Sequence, residues 1–125
     1  MEIFNLHEFS AINRRRCEAA DGFGHSLHEW TLSDWMVAVG GEMGEAMNVA
    51  KKLNRVRDGI RGNRETVAQL RAALRREIGD VFIYLDLIAQ SQGFDLAEVV
   101  RDTFNAKSAE IGCPITFPLR KDLLK

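Results

Sequence analysis

Two short stretches combine residue types that can do chemistry. The segment 40–52 reads GGEMGEAMNVAKK and carries Glu42 and Glu45 three residues apart. The segment 76–80 reads REIGD and sets Glu77 and Asp80 at the same spacing. Residues three apart on a helix share one face, with Cβ atoms roughly 5–6 Å apart. Two such helices packed antiparallel can bring four carboxylates together. The four repel one another, so some hold protons, the helices part, or a cation enters. A hard divalent cation resolves the repulsion and keeps waters for substrate phosphates. Helical di-iron proteins use Glu-x-x-His, and neither pair contains histidine. Zinc favours His or Cys. An all-oxygen set points to Mg²⁺, with Mn²⁺ as the second choice. Glu42, Glu45, Glu77 and Asp80 are therefore the candidate metal ligands and the candidate catalytic set.

A lone Glu-x-x-Glu is usually a solvated helix face. Two pairs on consecutive helices, each beside an apolar stripe, carry more information than either alone. Lys52 lies seven residues after Glu45, two turns along the same face, where it can offset phosphate charge. Lys51 points elsewhere and reads as a snorkelling surface lysine. Tyr84 follows Asp80 by four residues. Its phenol either touches a bound base or closes the edge of the core.

These side chains need helices to position them. The first helix is expected from Asn5, where Asn5-Leu6-His7-Glu8 has the form of a capping box, to about Ala20, with Asp21-Gly22 ending it. Residues 22–30, GFGHSLHEW, read as a loop with an aromatic anchor. The second helix starts between Thr31 and Asp34, with Thr31 and Ser33 as candidate caps. Its buried stripe is Trp35, Val39, Met43, Ala46, Ala50 and Leu53. Arg57–Asn63 is a loop rich in glycine and charge. The third helix is expected after Asn63 as cap and runs to about Ser91, with Gly93 stopping it. Its stripe is Leu70, Leu74, Ile78, Val81, Phe82, Leu85 and Ile88. The fourth opens with the box Asp95-Leu96-Ala97-Glu98 and ends near Gly112. Residues 113–125 are expected to be extended or disordered. No β-branched alternation argues for strands. The expectation is one all-α domain over residues 1–125, a four-helix bundle.

Of the 125 residues, 46% are hydrophobic and 28% charged, and the net charge is -1, which argues against a nucleic-acid polymer as partner. Arg14-Arg15-Arg16 reads as a solvated helix face. Two cysteines, Cys17 and Cys113, are too few for a disulfide framework, and reduced thiols are the simpler reading. No apolar run is long enough for a membrane span. No basic start precedes an apolar leader, so a cytoplasmic location is expected. There is no P-loop. Cys17 lacks a recognisable His and Asn partnership. His7, His25 and His28 read as surface or loop histidines.

The order Glu-x-x-Glu then Glu-x-x-Asp, written EMGE and EIGD here, resembles the MazG-like all-α nucleoside triphosphate pyrophosphohydrolases. The likeness extends through EWTLSDWMVAVGGEMGEAMNVAKKL, DVFIYLDLIAQSQGFDLAEVV and TFNAKSAEIG, covering about residues 30–112. The resemblance implies hydrolysis of an NTP or dNTP to the monophosphate and pyrophosphate, between the α and β phosphates. It implies Mg²⁺ on Glu42, Glu45, Glu77 and Asp80. It implies Asn105 and Lys107 near the substrate, and Tyr84 with Trp30 or Trp35 near the base. It implies a homodimer, or a tetramer as a dimer of dimers. Ile83 and Leu87, which widen the apolar surface of the third helix, are expected to be buried across subunits. The chain departs from the family in a longer stretch between Glu45 and Glu77 and in its Asn105-x-Lys107 spacing.

The reading is thus a Mg²⁺-dependent nucleotide pyrophosphohydrolase acting in nucleotide-pool housecleaning. The alternative is a nucleotide-binding or helical interaction module of the same fold without turnover. A helical metal-storage protein is a third reading, and it lacks the expected histidines.

Overall fold

The computed structural model describes residues 2–123. Four helices account for most of them: α1 (Leu6–Glu18), α2 (Leu32–Arg57), α3 (Val67–Ser91) and α4 (Leu96–Glu110), followed by a 3₁₀ turn at Lys121–Leu123. Among the described residues there is no strand. Leu124 and Lys125, the end of the tail expected to be extended or disordered, lie outside the described residues. Among the described residues, no helix is long and apolar enough to cross a membrane.

The helix starts follow from side-chain caps. Asn5 accepts from the Glu8 N–H at 2.9 Å. Thr31 and Asp34 form a reciprocal capping box at the start of α2. Asp95 accepts from the N–H groups of Ala97 and Glu98. The third start differs from expectation. Thr66 and Gln69 make the box that opens α3, while the Asn63 amide donates instead to the Lys52 carbonyl at 2.8 Å. α1 also ends early, at Glu18, because the following loop folds back onto it. The Phe23 N–H donates to the Arg16 carbonyl at 3.2 Å and the His25 N–H to that of Cys17 at 3.1 Å. Gly22 is required there: a Cβ at this position would lie 1.9 Å from the Arg16 carbonyl oxygen.

α2 and α3 form the main packing pair. Lys52 meets Glu65 just before α3 begins, and Glu42 meets Glu77 further along, so the two helices run antiparallel. The fully buried core is Cys17, Leu27, Trp35 and Leu87, with Trp30, Tyr84 and Ile88 packed against it. The Trp35 Nε1–H donates to the Leu27 carbonyl at 3.1 Å, so the indole buries its ring without losing its hydrogen bond. Cys17 and Cys113 are both unbridged.

The stripes expected on α2 and α3 are only partly buried. Met43, Ile78, Phe82 and Leu85 are exposed, whereas Leu87 lies in this chain's own core rather than awaiting a second subunit. Packing against α1 rotates the buried face of α3 toward Asp86, Leu87 and Gln90. Asp86 is fully buried and accepts from Ser10 Oγ at 2.5 Å, Asn13 Nδ2 at 2.9 Å and Gln90 Nε2 at 2.9 Å. A buried charge is tolerated only where its oxygens are met by donors, and here α1 supplies two of the three.

Candidate metal centre

Glu42 and Glu45 come from α2 and Glu77 from α3. One carboxylate oxygen from each lies within 4.8 Å of the others. Glu42 and Glu77 are half-buried and Glu45 is exposed. The Oε2 atoms of Glu42 and Glu77 are both buried without a hydrogen-bond partner. Unmet, electron-rich oxygens on two carboxylates this close call for a proton or a cation. The Glu42 carboxyl is pushed up to about 7, first by the hydrogen bond it shares with Glu77, then by burial and the charges of Glu45, Glu77 and Asp80. The all-oxygen donors and the unmet buried oxygens fit a hard divalent cation.

Asp80 stands outside this trio. Its carboxylate is 3.9 Å from Arg76 Nε, and it joins Glu42 in lining a cavity of about 400 Å³. The same cavity is lined by Arg16, Phe23, Ile83 and Tyr84. The Phe23 and Tyr84 rings stack with centroids 6.0 Å apart and planes 14° apart. The Arg16 guanidinium lies 5.6 Å from the Phe23 centroid, a cation–π distance. Burial, followed by the charges of Glu42 and Asp80, pushes the Tyr84 phenol up, so it remains a neutral donor. Behind this wall His25 stacks on Trp30 at 4.5 Å, and Trp30 meets Trp35 at 4.6 Å.

Comparison with protein-family models, curated proteins and solved structures finds no match. The site is therefore read from its own geometry. Tyr84 stands at the carboxylates, and Trp30 stands behind His25. Lys52 is tied to Glu65 by a 2.6 Å ion pair and does not line the carboxylate cavity. The Asn105 side chain is fully engaged by the tail: its amide donates to the Phe117 carbonyl at 2.9 Å and its oxygen accepts from the Phe117 N–H at 2.8 Å. Lys107 pairs with Glu110 on the surface at 3.4 Å. Neither α4 residue lines the carboxylate cavity in this chain.

Arg16 and Phe23 are the residues that sequence reasoning passed over. Arg16 is exposed, as expected of a solvated face, and also lines this cavity. A signal was present: Asn13 and Cys17 are buried, and Arg16 lies three residues after Asn13, on the same face. Phe23 sits between Gly22 and Gly24, a placement that lets one large ring fold back over the helix end.

Proposed function

We propose that this chain is a Mg²⁺-dependent nucleoside triphosphate pyrophosphohydrolase of the MazG-like kind. The observation that carries the reading is the trio Glu42, Glu45 and Glu77 drawn together from two helices beside a stacked aromatic wall. Glu42, Glu45 and Glu77 would hold Mg²⁺, with Asp80 joining from the rim of the same cavity. Bound there, such a cation would supply charge neutralisation for the triphosphate and acidify water at the site.

The remaining work falls to the chain itself. Phe23 and Tyr84 offer a flat apolar surface on which a base can stack. Arg16 places a planar, permanently charged donor at the same cavity, suited to phosphate oxygens. Ile83 and the aromatic wall limit water on the apolar side. A second copy would cover the exposed Met36, Met43, Met47, Ile78, Phe82 and Leu85, a surface of the kind that marks interaction sites. This supports a homodimer, or a tetramer as a dimer of dimers.

The position of Asp80 favours a second reading. Because only three of the four carboxylates converge, a module that binds nucleotide without turnover also fits. Pyrophosphate release from a panel of canonical and modified NTPs and dNTPs, with Mg²⁺ and with chelator, separates the two. Metal-dependent release with a monophosphate product, lost in Glu42→Gln, is expected. Binding without release would favour the module.

A further inference from the structure

A second cavity, of about 430 Å³, lies between the C-terminal half of α2 and the loop that leads to α3. It shares no lining residue with the carboxylate cavity. Its walls carry Lys51, Lys52, Arg55 and Arg64 against a single carboxylate, Glu65. In a chain of net charge -1, this is a local concentration of the opposite sign. Glu65 gives Oε1 to Lys52 at 2.6 Å and keeps Oε2 buried without a partner. Among the described residues, Lys51, Arg55 and Arg64 have no carboxylate within 4.0 Å.

The site is held in place by specific contacts. Arg55 Nη2 donates to the Arg61 carbonyl at 2.6 Å. The backbone then crosses the guanidinium so closely that a Cβ on Gly62 would lie 2.8 Å from Nη2, and Gly62 has φ +124°, a conformation that favours glycine. Asn63 fastens the next residue to the Lys52 carbonyl at 2.8 Å. Arg55 is thus fixed under the loop, and its Nε is buried with no acceptor. The wall thus leaves one buried donor, Arg55 Nε, and one buried acceptor, Glu65 Oε2, unmet, while the unpaired Lys51, Arg55 and Arg64 make the cavity net positive and suited to an oxyanion.

We infer that this cavity binds a short oligophosphate, with Arg55 as the fixed donor and Lys51 and Arg64 as the mobile cations that close over it. The chemistry comes from free inorganic oligophosphate or from the phosphate tail of a nucleotide. The site requires neither Mg²⁺ nor turnover at the carboxylates.

Inorganic tripolyphosphate is titrated into the full chain in chelator, with calorimetry and the Arg55 Nε–Hε NMR signal as readouts. Saturable binding that shifts the Arg55 signal is expected. The exposed pair Lys51→Gln with Arg64→Gln should weaken it at least ten-fold, and added salt should weaken it further. Glu42→Gln should leave it unchanged, which separates this site from the metal centre. No saturable binding, an unmoved Arg55 signal, or an affinity indifferent to the double variant would overturn the inference. A nucleoside triphosphate is the second arm. Equal affinity identifies the phosphate chain alone as what is read. Tighter binding with the same Arg55 shift identifies the nucleotide tail. Both results uphold the site.

Discussion

Glu42 on α2 and Glu77 on α3 face each other within hydrogen-bonding reach, and each keeps its Oε2 buried with no donor. Two carboxylates in this arrangement do not both ionise without help. The proton or cation between them links the helix pair to pH and to metal.

The first prediction concerns stability against pH. The Glu42 carboxyl rises from 4.5 to about 7 in the folded chain. Between these values the folded state holds a proton that the unfolded state has lost. Stability is therefore fully present below about 4.5 and falls as pH rises through about 7. The loss in chelator should be about 1–3 kcal/mol, with solvent near exposed Glu45 trimming the upper end. Mg²⁺ should remove most of the slope by replacing the proton. Melting temperatures across pH 5–8, with and without Mg²⁺, check both arms. A flat profile in chelator would count against the shared proton.

A second prediction separates stability from turnover. Glu42→Gln places an amide donor against Glu77 and removes a charge from the cluster. The metal-free protein should gain about 1–2 kcal/mol, since an unmet buried acceptor is satisfied. Mg²⁺-induced stabilisation should shrink, and pyrophosphate release should fall at least about 100-fold, as when a metal ligand is lost. Parallel urea denaturation and activity assays give the comparison. A variant that is more stable and equally active would remove Glu42 from the site.

The sequence made the helices legible because their caps and periodicity are local. Asn5, Thr31 and Asp95 stand at helix starts as their types suggest. The spacing within each pair, Glu42 with Glu45 and Glu77 with Asp80, was legible for the same reason, but which of the four converge was not, and Asp80 stands outside the trio. What remained hidden depends on which partner covers which face. Ile78, Phe82 and Leu85 follow helical spacing, yet lie exposed, because α1 draws the other side of α3 inward. Asn105 and Lys52 look free in a sequence, but their partners, Phe117 and Glu65, lie 12 and 13 residues away. Phe23 reached the cavity through a loop reversal that no local pattern encodes, folding back beside Arg16.

Asp86 gives a third prediction. Its carboxylate gathers Ser10, Asn13 and Gln90, which binds α1 to α3. Asp86→Ala would leave Ser10 Oγ without its acceptor, reduce Asn13 Nδ2 and Gln90 Nε2 to their bonds with the Ile83 and Ser10 carbonyls, and open a small void. The expected loss is about 2–4 kcal/mol, since hydrogen bonds to a charged group contribute more than neutral ones and the void adds its own cost. Asp86→Asn keeps the volume but turns one acceptor into a donor, so it should also lose at least about 2 kcal/mol. Chemical denaturation reads both. A neutral Asp86→Asn would show that the cluster does not hold the charge.

The last prediction concerns Arg16. Its guanidinium lies over Phe23 at the rim of the cavity that contains Glu42 and Asp80, and no carboxylate lies within 4.0 Å of it among the described residues. A cation so placed is free to meet a phosphate. Arg16→Ala should raise KM for a nucleoside triphosphate about 10-fold or more, the scale of one lost charge-assisted contact. The melting temperature should change little, because the side chain is exposed. Arg16→Lys should recover only part of the affinity, since an ammonium keeps the charge but not the planar pair of donors. Phe23→Leu is the companion. It removes the stacking ring while leaving Arg16, so it should raise KM and flatten discrimination among bases. If Arg16→Ala left KM unchanged while Phe23→Leu raised it, the cavity would be reading the base alone and the phosphates would lie elsewhere.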